Sequence, residues 1–311
     1  METVLKVSGL NKSFRNHHVI KDVSFEVYAG EVFGFLGPNG AGKTTTIKMI
    51  MGFFFPDSGD ISVCGHSLDK DYEAAMANVG GIVENPELYK NLSGRFNLKL
   101  YANLHDGVTD ERIDEVIRMV GMEKRADEKV KKYSLGMKQR IGLAQGMLHR
   151  PKLLILDEPT NGLDPAGIKE LRTIIRELAE KEQTAVFVSS HLLSEMELMC
   201  DRVAIISDGV ILGEKTVEEL RHMGSGEQYI YRVSDGEAAG RIINGLGHSV
   251  VHVSKDPDGL FTVRAGLPGS ALPELSRALL GAGVDVYTVR QEENSLEDAF
   301  IKLTGGGNVI A

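Results

Sequence analysis

No apolar run in this chain approaches the roughly 18–20 residues needed to span a bilayer. Runs such as Phe53-Phe54-Phe55 and Leu153 to Leu156 are strand-sized or shorter. Any contact with a membrane would therefore have to come through a partner protein. The first residues lack the basic-then-apolar plan of a secretory signal. Cysteine is scarce: Cys64 and Cys200 are the whole complement, which fits reduced cytosolic thiols better than a disulfide framework or a metal cluster. A surplus of positive charge is also missing. The net charge of −9 argues against general binding to a nucleic-acid backbone. No Asn-Lys-x-Asp guanine motif and no long heptad stretch is present. What remains is a globular composition, 42% hydrophobic and 25% charged, in a length of 311 residues that suits about two domains.

The chain is organised around Gly37-Pro38-Asn39-Gly40-Ala41-Gly42-Lys43-Thr44. Glu31 to Leu36 before it reads as a buried strand, and Thr44 to Met51 after it has helical spacing, with Ile47, Ile50 and Met51 on one side. Strand, glycine-rich loop and helix turn the pattern G-x-x-x-x-G-K-[ST] into a phosphate site. The glycines let successive N–H groups point inward, and the helix N-terminus adds partial positive charge. Lys43 is placed to reach the β- and γ-phosphates and the Thr44 hydroxyl to ligate Mg²⁺. A tight turn capping a helix is the plain alternative.

Val4 to Val7 and Val23 to Val27 alternate apolar with polar and read as half-buried antiparallel strands. Between them, Phe14 suits either packing at a strand end or stacking on an adenine ring. Ile61 to Gly65 is a further strand. Ile82-Val83 reads as a strand ending at Glu84, with Pro86 forcing an extended exit. Thr109 is a candidate N-cap for a helix over Val108 to Gly121, whose stripe of Ile113, Val116, Ile117 and Val120 is core. Ser134, in Tyr133-Ser134-Leu135-Gly136-Met137, opens another helix, either as its N-cap or facing a phosphate. Leu153-Leu154-Ile155-Leu156-Asp157-Glu158 is the second strong signal: an aliphatic run suited to a central parallel strand, with two carboxylates at the end where such sheets bind ligands. Asp157 is assigned to support Mg²⁺ and Glu158 to polarise the attacking water. Thr184 to Ser190 is the next buried strand, and His191 at its end is placed to donate to a γ-phosphate oxygen.

Together these motifs resemble an ATP-binding cassette (ABC) ATPase, the nucleotide-binding subunit of an ABC transporter, over about residues 1–222. The implied fold is α/β: a P-loop domain with a mixed-sheet core, an antiparallel β subdomain and a helical subdomain at about 86–150. Residues 37–44 match Walker A, 153–158 match Walker B with its catalytic glutamate, Asn161 to Asp164 match the D-loop, and His191 matches the switch histidine. The resemblance implies ATP and Mg²⁺ as ligands, with nucleotide contacts from Phe14, Asn39, Gly40, Ala41, Gly42, Lys43, Thr44 and Thr45. Metal contacts fall to Thr44, Asp157 and Glu84. Residues 133–137 depart from the common Leu-Ser-Gly-Gly-Gln but keep Ser134 and Gly136, which the resemblance directs at the nucleotide of a second copy or a paralogue. This variant resembles cassettes paired with ABC-2 type export permeases, and in particular the bacitracin- and lantibiotic-immunity branch. Glu84 stands where most cassettes carry a glutamine, and a carboxylate lacks the amide's donors.

Beyond Gly224-Ser225-Gly226, read as a linker, the order is β-α-β-β-α-β: strands at 229–233, 250–254, 261–265 and 284–289 with helices at 237–246 and 273–280. That suits a small α+β ferredoxin-like domain at 226–311. Ser295-Leu296-Glu297-Asp298 opens a last helix packing Leu296, Ala299, Phe300 and Leu303, and it resembles the accessory domain of ABC-2 export cassettes. The expectation is a cytoplasmic ATPase, peripheral on the inner face of the membrane and acting as a dimer with an integral-membrane permease. Its rivals are a soluble ABC ATPase not coupled to transport and a non-catalytic binding module. The single set of motifs and the intact Lys43, Thr44, Asp157, Glu158 and His191 count against both.

Overall fold

Alternation in the opening segment resolves into a hairpin in the computed structural model, which describes residues 2–223 and 228–292. Thr3–Phe14 runs antiparallel to His17–Tyr28. Leu5, Val7 and Leu10 on one strand and Val23, Phe25 and Val27 on the other are buried, while Lys6 and Ser24 face solvent. Ser58–Val63 and His66–Ser67 extend this into a four-stranded sheet.

The continuous aliphatic segments form a second, six-stranded sheet. Across it lie Val210–Thr216, Arg202–Ser207, Val32–Leu36, Ala185–Ser190, Leu153–Asp157 and Val79–Ile82. All pairings are parallel except that of Val210–Thr216. Every residue of Val32–Leu36, Leu153–Asp157 and Ala185–Ser190 is buried, as strands covered on both faces require. Phe25 of the hairpin meets Phe33, Phe35 and Phe187 of this sheet in an aromatic cluster, with ring centroids 5.4–5.9 Å apart. Each such ring contributes about 1.5–3 kcal/mol by burial. The cluster thus clamps two of the strands whose ends carry the chemistry.

Gly94–Ala102, Asp110–Met119 and Leu135–Gly146 pack together as a helical segment. Thr109 is the N-cap expected of it, its hydroxyl oxygen accepting the Arg112 N–H at 3.4 Å. Ile113, Val116, Ile117 and Val120 are buried, and Gly121 leaves the helix at φ 64°. No helix among the described residues is long and apolar enough to cross a membrane.

The chain divides after Val217, where a second unit begins at Glu218. Its strands Gln228–Val233, Ser249–Lys255, Phe261–Gly266 and Val286–Glu292 alternate with the helices Gly236–Gly245 and Leu272–Gly281 in the β-α-β-β-α-β order expected. The sheet order, by position in that series, is second, third, first, fourth, and every pairing is antiparallel. Tyr231, Val233, Val263, Ile243, Leu275 and Leu279 form its core. The linker Gly224-Ser225-Gly226 and the helix expected from Ser295, with Leu296, Ala299, Phe300 and Leu303, lie outside the described residues.

Candidate active site

The loop after Val32–Leu36 turns into the helix Lys43–Ile50 through Gly40 at φ 83° and Gly42 at φ 107°, left-handed conformations that glycine adopts without steric cost. Gly37 has no room for a side chain: a Cβ there would lie 2.3 Å from the Ile206 carbonyl oxygen. Asn39 and Gly40 are exposed, Ala41 and Gly42 buried, and Thr44 and Thr45 half-buried. Lys43 is 5% exposed. Its ammonium donates to the Gly37 carbonyl at 2.7 Å and the Pro38 carbonyl at 3.2 Å, and lies 3.3 Å from Glu158 Oε1.

The neighbouring strand ends complete a connected set. Glu158 follows Leu153–Asp157 directly, at φ 50°, in a left-handed conformation uncommon for a residue with a side chain. Its N–H is held by the Ser189 carbonyl at 3.2 Å and the Ser189 hydroxyl at 3.0 Å. Its Oε2 lies 2.7 Å from His191 Nδ1. One carboxylate thus joins the lysine of the loop to the histidine at the end of the next strand. Asp157 is 2% exposed, and the Ser189 hydroxyl donates to its Oδ1 at 2.6 Å. Burial pushes the Asp157 carboxyl above the usual range, opposed by hydrogen bonds from Ser189 and Thr44 and by the charge of Lys43. Thr44 and Asp157 are hard oxygen donors in contact. Among the described residues no cluster of three or more His, Cys, Asp or Glu forms a protein cage for a metal. Two oxygen donors, with the rest left to water and phosphate, is the arrangement Mg²⁺ takes, so the residues present fit that ion.

The other predicted residues are more dispersed. Phe14 ends its strand 41% exposed, edge-on to Phe54 at 5.5 Å, with Lys12 Nζ 5.5 Å from its ring centre. Glu84 leaves its strand at φ 63° and pairs with Lys48 at 2.8 Å, one helical turn beyond Thr44. Ser134 caps its helix, its hydroxyl oxygen accepting the Met137 N–H at 3.3 Å. Gly136 lies near Leu163 of the loop that follows Glu158. Asp164 caps the helix Pro165–Glu182 by accepting the Gly167 N–H at 2.9 Å. No hydrogen bond or ion pair among the described residues joins Ser134, Gly136 or Asp164 to Lys43, Glu158 or His191. Ser189 was missed by sequence reasoning. The signal was there: the strand Ala185–Ser190 is apolar to Val188 and then carries two buried serines at the end facing the crevice.

The ABC transporter family model matches residues 20–161. The uncharacterized ABC transporter ATP-binding protein YhcH of Bacillus subtilis (strain 168) is 46% identical over 305 residues, covering 98% of this chain and 97% of that protein. This chain belongs to the ATP-binding subunits of ABC transporters. The bacitracin transport ATP-binding protein BcrA of Bacillus licheniformis is 39% identical over 99% of this cassette and 100% of its own length. A solved ATP-binding subunit of an ABC transporter superposes with a TM-score of 0.63 at 32% identity, over 70% of this chain and 92% of that one. The cassette is thus an ATP-binding, ATP-hydrolysing subunit of an ABC transporter.

Proposed function

We propose that this cassette drives an exporter by hydrolysing ATP at the junction of Lys43, Glu158 and His191. The observation that carries this reading is the continuous contact from the loop lysine through Glu158 to His191. Lys43, held on the Gly37 and Pro38 carbonyls, is the charge that the β- and γ-phosphates of ATP engage, alongside the N–H groups of residues 39–45. Glu158 orients a water for in-line attack on the γ-phosphorus and takes its proton. With both ring nitrogens protonated, His191 donates from Nδ1 to Glu158, steadying that carboxylate, and from Nε2 to the γ-phosphate. Phe14 offers its exposed face to the adenine. Thr44 and Asp157 would hold Mg²⁺, whose chemistry there would be to offset the negative charge of the phosphates. Glu84, on its Lys48 partner, is the weakest metal assignment, and the pairing favours a role on the surface beside the helix.

Ser134 and Gly136 complete the site from a second copy or a paralogue, and Asp164 lies at that junction. Within one chain they make no hydrogen bond or ion pair, among the described residues, to Lys43, Glu158 or His191, which supports a site shared between two. An integral-membrane ABC-2 type permease is the partner, with this cassette peripheral on the inner face of the membrane, consistent with the signature variant and the absence of a spanning helix among the described residues. The likeness to a bacitracin transport subunit supports a peptide or drug as cargo. The domain limits 1–222 and 226–311 belong to the same reading, with the second domain supporting dimerisation or regulation.

The test is affinity capture of the full chain from detergent-solubilised native membranes. Recovery of a stoichiometric multi-helix membrane protein is expected. Recovery of ribosomes or DNA-repair factors without a membrane protein would overturn the transport reading.

A further inference from the structure

Two hydroxyls that flank the reactive pair share one carboxylate oxygen. Thr160, two residues after Glu158 and 4% exposed, donates its hydroxyl hydrogen to Glu195 Oε2. Ser190, one residue before His191 and 1% exposed, reaches the same Oε2 at 3.2 Å. The Ser190 oxygen accepts the Leu192 N–H at 2.9 Å, so its own hydrogen is free to go to Glu195. Glu158 and His191 are themselves joined at 2.7 Å. The contacts therefore close a ring: Glu158, His191, Ser190, Glu195, Thr160 and back along the chain to Glu158.

The ring matters because Glu158 sits at φ 50°, a conformation that persists only where the surroundings over-determine it. Ser189 holds the N–H side of Glu158. Glu195 holds the other side, through Thr160, and fixes that loop against the strand end that presents His191. From this we propose that Glu195, on the short helix Leu193–Met199, is a positioning residue that sets the separation of Glu158 and His191. The proposal rests on the roles given above to those two residues. Both hydroxyls donate, so position 195 has to supply an acceptor oxygen; its charge is secondary. A carboxamide turned to present its oxygen meets that need, and a methyl group does not.

The test is steady-state ATP hydrolysis by the full chain for Glu195→Ala, Glu195→Gln and Thr160→Val, with Glu158→Gln in parallel. Misplacing catalytic groups by about 1 Å costs on the order of 100-fold in rate, so Glu195→Ala is expected to lower kcat by about that factor with KM for ATP unchanged. Glu195→Gln should restore most of the rate, and Thr160→Val, which removes one donor and keeps the shape, should lower kcat without moving KM. Wild-type kcat in Glu195→Ala or in Thr160→Val would overturn the role, as would a Glu195→Gln variant as impaired as the alanine. If Glu195→Ala does not fold, the other two variants decide. Wild-type turnover in Glu158→Gln would instead remove Glu158 from its assignment. An inactive Glu158→Gln beside an unaffected Thr160→Val would sink the positioning role alone.

Discussion

The two units are built from the same parts, yet one gathers chemistry and the other does not. In the first, parallel strands lay their C-terminal ends along one edge, so the loop after Leu36, the pair Asp157-Glu158 and Ser189 to His191 arrive side by side. In the second, every pairing is antiparallel, and strand ends alternate between the two edges. Its charged groups find partners instead of a common focus: Arg232 pairs with Asp256 at 3.2 Å and with Asp258, and Arg264 with Glu292 at 3.4 Å. Strand direction, more than residue type, decides whether polar side chains converge.

The sharpest way to break this contrast is at the convergent edge. Glu158→Gln keeps the shape and removes the base, so hydrolysis should fall by about 10²–10⁴-fold while ATP affinity, measured by titration calorimetry, stays near wild type. Lys43→Ala removes charge-assisted hydrogen bonds to phosphate, so ATP affinity itself should weaken by about 10–100-fold. Unchanged affinity there would detach the loop from phosphate binding.

A smaller effect is expected at the opposite edge of the same sheet. His149 bonds through Nε2 to the carbonyl of Val79, the first residue of its strand, at 3.1 Å and stacks on His105 at 4.3 Å. Burial, with the neighbouring His105, lowers its pKa below the ordinary histidine value of 6.5. The unfolded chain then binds this proton more readily than the folded one, so stability is lost as pH falls below about 6.5. His149→Gln should flatten that acid limb in thermal melts and leave turnover at neutral pH unchanged. The smallest effect belongs to the second unit. Its exposed ion pairs contribute little, so Arg232→Ala should leave ATP turnover at the wild-type value, and a large loss of turnover would show that the antiparallel unit is chemically coupled after all.

Much of this arrangement was legible in the residues because it is written locally. The glycine-rich loop carries its own backbone requirement, the aliphatic runs declare buried parallel strands, and Thr109 and Gly121 mark both ends of one helix. The β-α-β-β-α-β order of the second unit was readable from alternation and turns, though its last strand runs later than expected, at Val286–Glu292. The strands Arg202–Ser207 and Val210–Thr216 were missed, despite the aliphatic run Val203 to Ile206. Side-chain partnerships across distant segments were hidden for a physical reason. Lys48 with Glu84 depends on helix rotation, and Glu195 with Thr160 and Ser190 on a helix folding back over two strand ends. Ser134 was legible as the opening of a helix, and it caps that helix through the Met137 N–H, but the packing of Gly136 near Leu163 is a three-dimensional fact.

The most direct test of the convergent-edge account is the identity of the nucleotide retained by the full-length Glu158→Gln cassette after many wild-type turnover times. Intact ATP is the predicted result, bound through Lys43 and left unhydrolysed for want of the base. ADP in its place would contradict the account, because the Lys43–Glu158–His191 contact would then not be where the bond is broken.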